Sequence, residues 1–134
     1  MLVLIFNFKA LGVNHYQKNS ARGRYITAQG KQYQKDMKQV LTKSIIAINK
    51  FLEGYDDTKE GFEVDIVIKQ SNFFTKKGVM SKVAGDVDGP VKIIIDQVFR
   101  FFDIDDSRVI KVSCEKVSSN SDSFVVIIKR RPVA

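Results

Sequence analysis

Between Tyr33 and Ile68 the hydrophobic period of the chain changes once, from steps of three and four to steps of two. Tyr33, Met37, Leu41, Ile45, Ile48 and Leu52 recur at helical spacing and predict one amphipathic helix starting near Gln29, with Thr27 as its cap. Lys31, Lys35 and Lys38 line its outer face. Gly54 and the polar run Tyr55 to Glu60 close that helix. Phe62, Val64, Ile66 and Ile68 then alternate with Glu63, Asp65 and Lys69 as a strand with one buried face.

The flanking segments extend this pattern. Leu2 to Phe8 is nearly continuous in apolar residues and reads as a strand covered on both faces inside a sheet. It lacks the basic n-region and small-residue cleavage site of a signal peptide. Asp88 as cap, Pro90 in the first turn and the stripe Val91, Ile94, Ile95, Val98 and Phe102 predict a helix from about Gly89 to Phe102. Its further apolar residues Ile93, Phe99 and Phe101 are read as surface that meets a second protomer. Ile110, Val112 and Cys114 alternate with Lys111, Ser113 and Glu115, a polar turn spans Ser118 to Asp122, and Phe124 to Ile128 reads as the second arm of a C-terminal hairpin. The order strand, helix, strand, helix, strand, strand gives an α+β class with a mixed sheet and two helices packed on it. With 134 residues, one domain over 1–134 must hold everything.

Charge narrows the function. The 22 Lys and Arg against 15 Asp and Glu leave +7, which favours a polyanionic partner, nucleic acid first. The lone Cys114 excludes an internal disulfide and a multi-thiolate metal site, fits a reducing cytosol, and on the apolar side of its strand reads as an inert core thiol. No apolar run is long enough to cross a bilayer, so no membrane partner is expected. The charge is also segregated. Asp86, Asp88, Asp96, Asp103, Asp105 and Asp106 face only Lys92 and Arg100 between positions 86 and 106, a local balance of −4 that leaves the remaining chain at +11. A basic body around one acidic segment fits an enzyme that grips phosphates and holds a hard divalent cation. A capped, solvated helix face followed by a turn would give the same composition.

Asp88, Lys92 and Asp96 are spaced by four and share a helix face, with Asp86 before the first turn and Asp105 and Asp106 past the far end. Phosphodiester hydrolysis with magnesium needs two or three carboxylates and a cation that steadies the attacking water or the developing charge. Asp86, Asp88, Asp106 and Lys92 supply that set, although an ion-pair ladder from Asp88 through Lys92 to Asp96 uses the same residues. A calcium loop on Asp103, Asp105 and Ser107 fails, because Arg108 stands where glycine is needed and Cys114 where glutamate is needed. Neither a GxxxxGK[ST] nor a GxGxxG motif is present, so no nucleotide cofactor is expected.

The basic loop Lys9 to Arg24 carries Lys18, Arg22 and Arg24, and its His15 reads as a DNA contact or surface residue rather than a general base. A second loop, Ser71 to Gly85, carries Lys76, Lys77 and Lys82 with Phe73 and Phe74, a pair suited to wedging into a junction, to core packing or to a dimer contact. The tail Lys129-Arg130-Arg131 adds phosphate affinity if ordered near the site and otherwise is a solvated end.

Gly85-Asp86-Val87-Asp88, Lys92, Asp96 and Asp105-Asp106-Ser107-Arg108-Val109 resemble the signature of RusA-type Holliday junction resolvases, Asp-x-Asp-Asn-x-x-Lys, a further Asp, then Asp-Asp-x-x-Val. Asn14 and Tyr16, Arg22-Gly23-Arg24 and Thr27-Ala28-Gln29-Gly30 through Tyr33 resemble that family's basic loop and helix start. The resemblance implies a homodimeric α+β endonuclease of DNA recombination and repair that binds four-way junctions and nicks two opposing strands with Mg2+ or Mn2+. It implies Asp86, Asp88 and Asp106 as metal ligands, Lys92 as catalytic lysine, Asp96 and Asp105 in support, and Asn14, His15, Tyr16, Lys18, Arg22, Arg24, Lys76, Lys77 and Lys82 on DNA. The expected location is the cytoplasm of a bacterial cell or phage-infected host. Gly89-Pro90 departs from the family's Asn after the second Asp. A catalytically silent junction-binding protein and a broader nuclease of flaps and branched DNA are the alternatives.

Overall fold

The computed structural model describes residues 1–81 and 88–133. Along them run β1 (Leu2–Phe6), α1 (Val13–Tyr16), β2 (Gln17–Ser20), β3 (Gly23–Ile26), α2 (Ala28–Lys43), α3 (Ile45–Leu52), β4 (Glu60–Gln70), α4 (Asp88–Phe102), β5 (Val109–Ser118) and β6 (Ser123–Pro132), with a 3-10 turn at Asp106–Arg108. The expected α+β class holds. A mixed four-stranded sheet is ordered β1-β6-β4-β5, and β2 and β3 form a separate hairpin.

One face of the large sheet is dry across β1, β6 and β4. Leu2, Leu4 and Phe6 of β1, Val64, Ile66 and Ile68 of β4, and Phe124, Val126 and Ile128 of β6 are all buried, as the period-two pattern requires. Tyr33, Met37 and Leu41 of α2 and Ile94 and Val98 of α4 belong to the same core. The directly paired Phe6 and Phe124 stack at 4.6 Å, and Phe62 of β4 meets Phe99 of α4 edge-on at 5.2 Å. Such aromatic contacts add about 0.5–1.5 kcal/mol each beyond area burial.

The chain departs from the expected elements in five places. First, β1 is an edge strand, not an interior one; Val3 and Ile5 are 46% and 55% exposed on the sheet's open face. Second, β5 and β6 do not pair, because the long apolar β4 lies between them, parallel to β5 and antiparallel to β6. Their connection instead wraps the end of β4, where Ser119 N–H donates to the Gln70 carbonyl and Asp122 accepts from Ser71 N–H and Oγ. Third, the single helix expected over 29–52 breaks at Ser44, whose Oγ donates to the Val40 carbonyl at 2.9 Å. Such a bond to the carbonyl four residues back competes with helix propagation, and past the break Ile48 is buried while Ile45 is exposed. Fourth, the loop Lys9 to Arg24 contains α1 and the hairpin β2–β3. Fifth, Ile93 and Phe99 of α4 are buried inside this chain, so they are not the surface for a second protomer that their spacing pointed to.

The C-terminal arginines are internal ties rather than a solvated tail. Arg130 donates through Nε and Nη2 to Glu60 and through Nη1 to the carbonyls of Phe51 and Glu53, joining β6 to β4 and to the end of α3. Arg131 pairs with Glu63 at 3.0 Å.

These ties set a pH dependence. Arg130 holds the Glu60 carboxyl below its ordinary range, Arg108 does so for Asp57, and hydrogen bonds from Thr58 and Ser107 do so for Asp56 and Asp105. Depressed carboxyls bind fewer protons folded than unfolded, so their stabilisation is complete above the unfolded range near pH 4 and is lost as pH falls through the folded values. Thermal melts followed by circular dichroism are expected to shift down steeply below about pH 4 and to stay flat between about pH 5 and 7.

Candidate functional site

The Asp88 end of α4 is built against the basic loop. A Cβ on Gly89 would meet the Gly12 Cα and the Val13 nitrogen at 3.6 Å, ordinary contact, so the first turn of α4 lies against the start of α1. Packing at this contact therefore does not require glycine, because a Cβ would fit. Tyr16 locks the arrangement. Its ring is buried, and its hydroxyl accepts from Gln34 of α2 at 2.6 Å and Gln97 of α4 at 3.2 Å. Thr27 caps α2 through Gly30 N–H while its own hydroxyl donates to the His15 and Tyr16 carbonyls. Gly30 is required here, since a Cβ would overlap the Tyr16 carbonyl oxygen.

Asn14, Lys18 and Arg24, with Val13, Gln17 and Asn19, line one shallow polar depression beside that end of α4. His15 and Arg22 are exposed nearby. Tyr16 differs from the rest of the expected DNA-contact set: it is an internal post that holds the hairpin. Lys76 and Lys77 are exposed at the tip of a small hairpin in which Phe74 bridges Met80. Phe74 is exposed and Phe73 partly buried, their rings edge-on at 4.9 Å. Asp86 and Lys82 lie outside the described residues.

Asp88 and Lys92 are both exposed, and among the described residues neither has an ion pair or hydrogen bond. The ladder that competed with a catalytic reading does not form, because Asp96 pairs instead with Arg100 at 3.1 Å. Asp88 also acts across to β5. Burial, and after it the Asp88 carboxylate, push the Cys114 thiol above its ordinary range, in keeping with an unreactive cysteine.

Asp105 and Asp106 stand at the other end of α4. Asp105 accepts from Ser107 N–H at 2.8 Å and caps the 3-10 turn, while Arg108 clamps Asp57 through Nε and Nη2. Asp106 is exposed. Since α4 has 15 residues, Asp88 and Asp106 are separated by about 22 Å of helix within one chain. Among the described residues no three His, Cys, Asp or Glu side chains gather around one point.

Gln34 and Gln97, which no motif marks, are what join the loop to both long helices. They are 63 positions apart, and no sequence signal marked them, since Tyr16 itself was expected to face DNA. Removing the hydroxyl separates positioning from contact: Tyr16→Phe is expected to cost about 1–2 kcal/mol in denaturant unfolding, through two orphaned amides, and to leave the salt slope of DNA binding unchanged.

Compared with curated proteins, the sequence matches none. A family profile described as endodeoxyribonuclease RusA, however, aligns with residues 11–129 of the 134, a span that runs from the basic loop through α4 and the 3-10 turn to the last strand. The chain belongs to the RusA endodeoxyribonuclease family.

Proposed function

We propose that this endodeoxyribonuclease resolves four-way DNA junctions by paired nicks, in recombination and repair, with a divalent cation and two copies of the chain. The observation that carries this reading is the pairing of an uncommitted Asp88 and Lys92 on the first turns of α4 with the basic depression of Asn14, Lys18 and Arg24 beside them. Magnesium is commonly held by one or two carboxylates plus substrate phosphate and water, and Asp86 and Asp88, two residues apart, are a donor set of that chemistry. Manganese suits the same hard oxygen ligands. When bound, the ion would lower the pKa of a water and neutralise charge on the phosphate.

The side chains divide the remaining work. Lys92, one turn beyond Asp88, is placed to stabilise the negative charge that develops on the scissile phosphate. Lys18, Arg22, Arg24, Lys76 and Lys77 hold the flanking backbone by counterion release. Asp106 reaches an Asp88 centre only from a second copy, because α4 holds it at the far end of its own chain. A four-way junction has approximate two-fold symmetry, so two copies related in the same way match two opposing strands.

The decisive experiment compares a labelled four-way junction with linear duplex, flap and single-stranded DNA, in magnesium and after chelation. Nicking of the junction that disappears with chelator, and in Asp88→Asn and Lys92→Ala while junction binding persists, is the expected outcome. Equal cleavage of every substrate would favour a general branched-DNA nuclease, and tight binding without metal-dependent nicking a silent junction binder. Lys76→Ala with Lys77→Ala is expected to reduce the slope of log affinity against log salt by about 1–2, without a change in cut position. An unchanged slope removes that hairpin from the DNA footprint.

A further inference from the structure

We propose that the outer edge of β5 pairs antiparallel with β5 of a second copy about a two-fold axis through Ser113, fusing two four-stranded sheets into one of eight. The proposal locates the contact that the two-copy reading requires and rests on it.

β5 is ten residues long and terminates the sheet; among the described residues no strand pairs with its outer side. Alternate residues therefore turn their backbone N–H and C=O outward, a template that proteins usually blunt or cover. Its one irregularity, opposite Phe62 and Glu63, lies at its start, leaving Lys111 to Ser118 in regular register with β4. Val112 is 44% exposed although it shares a face with buried Val64.

The register follows from charge. Strands related by a two-fold axis normal to the sheet pair residues that share a face, so the axis must pass through a residue position. Centred on Ser113, Lys111 of each copy lies opposite Glu115 of the other, giving two cross-strand ion pairs on the open face, while Val112 lies opposite Cys114 on the helix face. Every neighbouring choice loses this. Centred on Val112, Lys111 faces Ser113; centred on Cys114, Lys111 faces Val117; centred on Lys111 or Glu115, like charges meet directly. Both partners are available, because Glu63, the strand neighbour of Lys111, is already taken by Arg131, and neither Lys111 nor Glu115 has an ion pair among the described residues. The other sheet edge, β1, exposes Val3 and Ile5 and has no charge with which to fix a register.

The test is the mass of the full chain in solution, by sedimentation and light scattering over a dilution series. The wild type is expected to be dimeric. Lys111→Glu breaks both pairs and sets like charges opposite each other, so its dissociation constant should rise about tenfold or more, and adding Glu115→Lys should restore it. Independently, Ser113→Cys in a Cys114→Ser background should form a covalent dimer on mild oxidation, because residues on the axis face each other at disulfide distance. A dimer indifferent to Lys111→Glu and without the Ser113→Cys cross-link overturns the β5 contact while leaving the two-copy reading standing. A monomeric wild type overturns both.

Discussion

The rest of the structure depends on the parallel pairing of β4 with β5. Two parallel strands cannot be joined by a tight turn, so the chain must travel back along the whole length of the sheet, and α4 is that return path. The return sets apart the two ends of the acidic segment. It places Asp88 beside the loop that leads to the basic hairpin and carries Asp106 to the opposite end, although the two lie only 18 positions apart. Closeness in sequence here measures the length of a helix, not the size of a site.

Much of the fold was legible because burial has a period. Phe62 to Ile68 alternate and are buried in alternation, Gly54 takes the positive φ that ends α3, and α4 ends at Phe102 where its stripe ends, although Asp88, expected as its cap, is the first residue of the helix. What was not legible depends on partners distant in sequence. Whether β5 pairs with β6 or β4 depends on which strand takes the centre, and the continuous apolar run of β1 looks the same on an edge as inside. The break at Ser44 turns on one hydroxyl finding the Val40 carbonyl, which composition does not show. The candidate site follows the same rule: Asp88, Lys92 and the basic loop stand out singly as charged residues, whereas the Tyr16 hydroxyl between Gln34 and Gln97, which ties the loop to α2 and α4, does not.

The net charge of +7 changes meaning once partners are assigned. Arg100, Arg108, Arg130 and Arg131 are each spent on an acid of the same chain, at Asp96, Asp57, Glu60 and Glu63. Arginine's planar fork suits such fixed pairs, while lysine keeps a mobile, hydrated charge. The bases left for a polyanion are mostly lysines, with Arg22 and Arg24 in the hairpin as the exceptions. That hairpin is where a fixed fork on a phosphate would fix the register of DNA against the Asp88 end.

The same accounting separates the two ends of α4 more sharply than the count of aspartates does. At the Asp106 end, Asp57 is clamped by Arg108, Glu60 by Arg130, Asp56 by the Thr58 backbone and hydroxyl, and Asp105 by Ser107, and each is held below its ordinary carboxyl range. Each already has an oxygen engaged in holding β4, β6 or the 3-10 turn, and at Asp57 and Glu60 the arginine alongside opposes a second positive charge. Asp88 has no such contact among the described residues. A carboxylate without a prior partner accepts an ion without giving up a structural bond, so Asp88 keeps a freedom that Asp56, Asp57, Glu60 and Asp105 have given up. At that same end Asp103 and Asp106 are exposed and, among the described residues, have no ion pair or side-chain hydrogen bond, so the turn is held by only some of its acids.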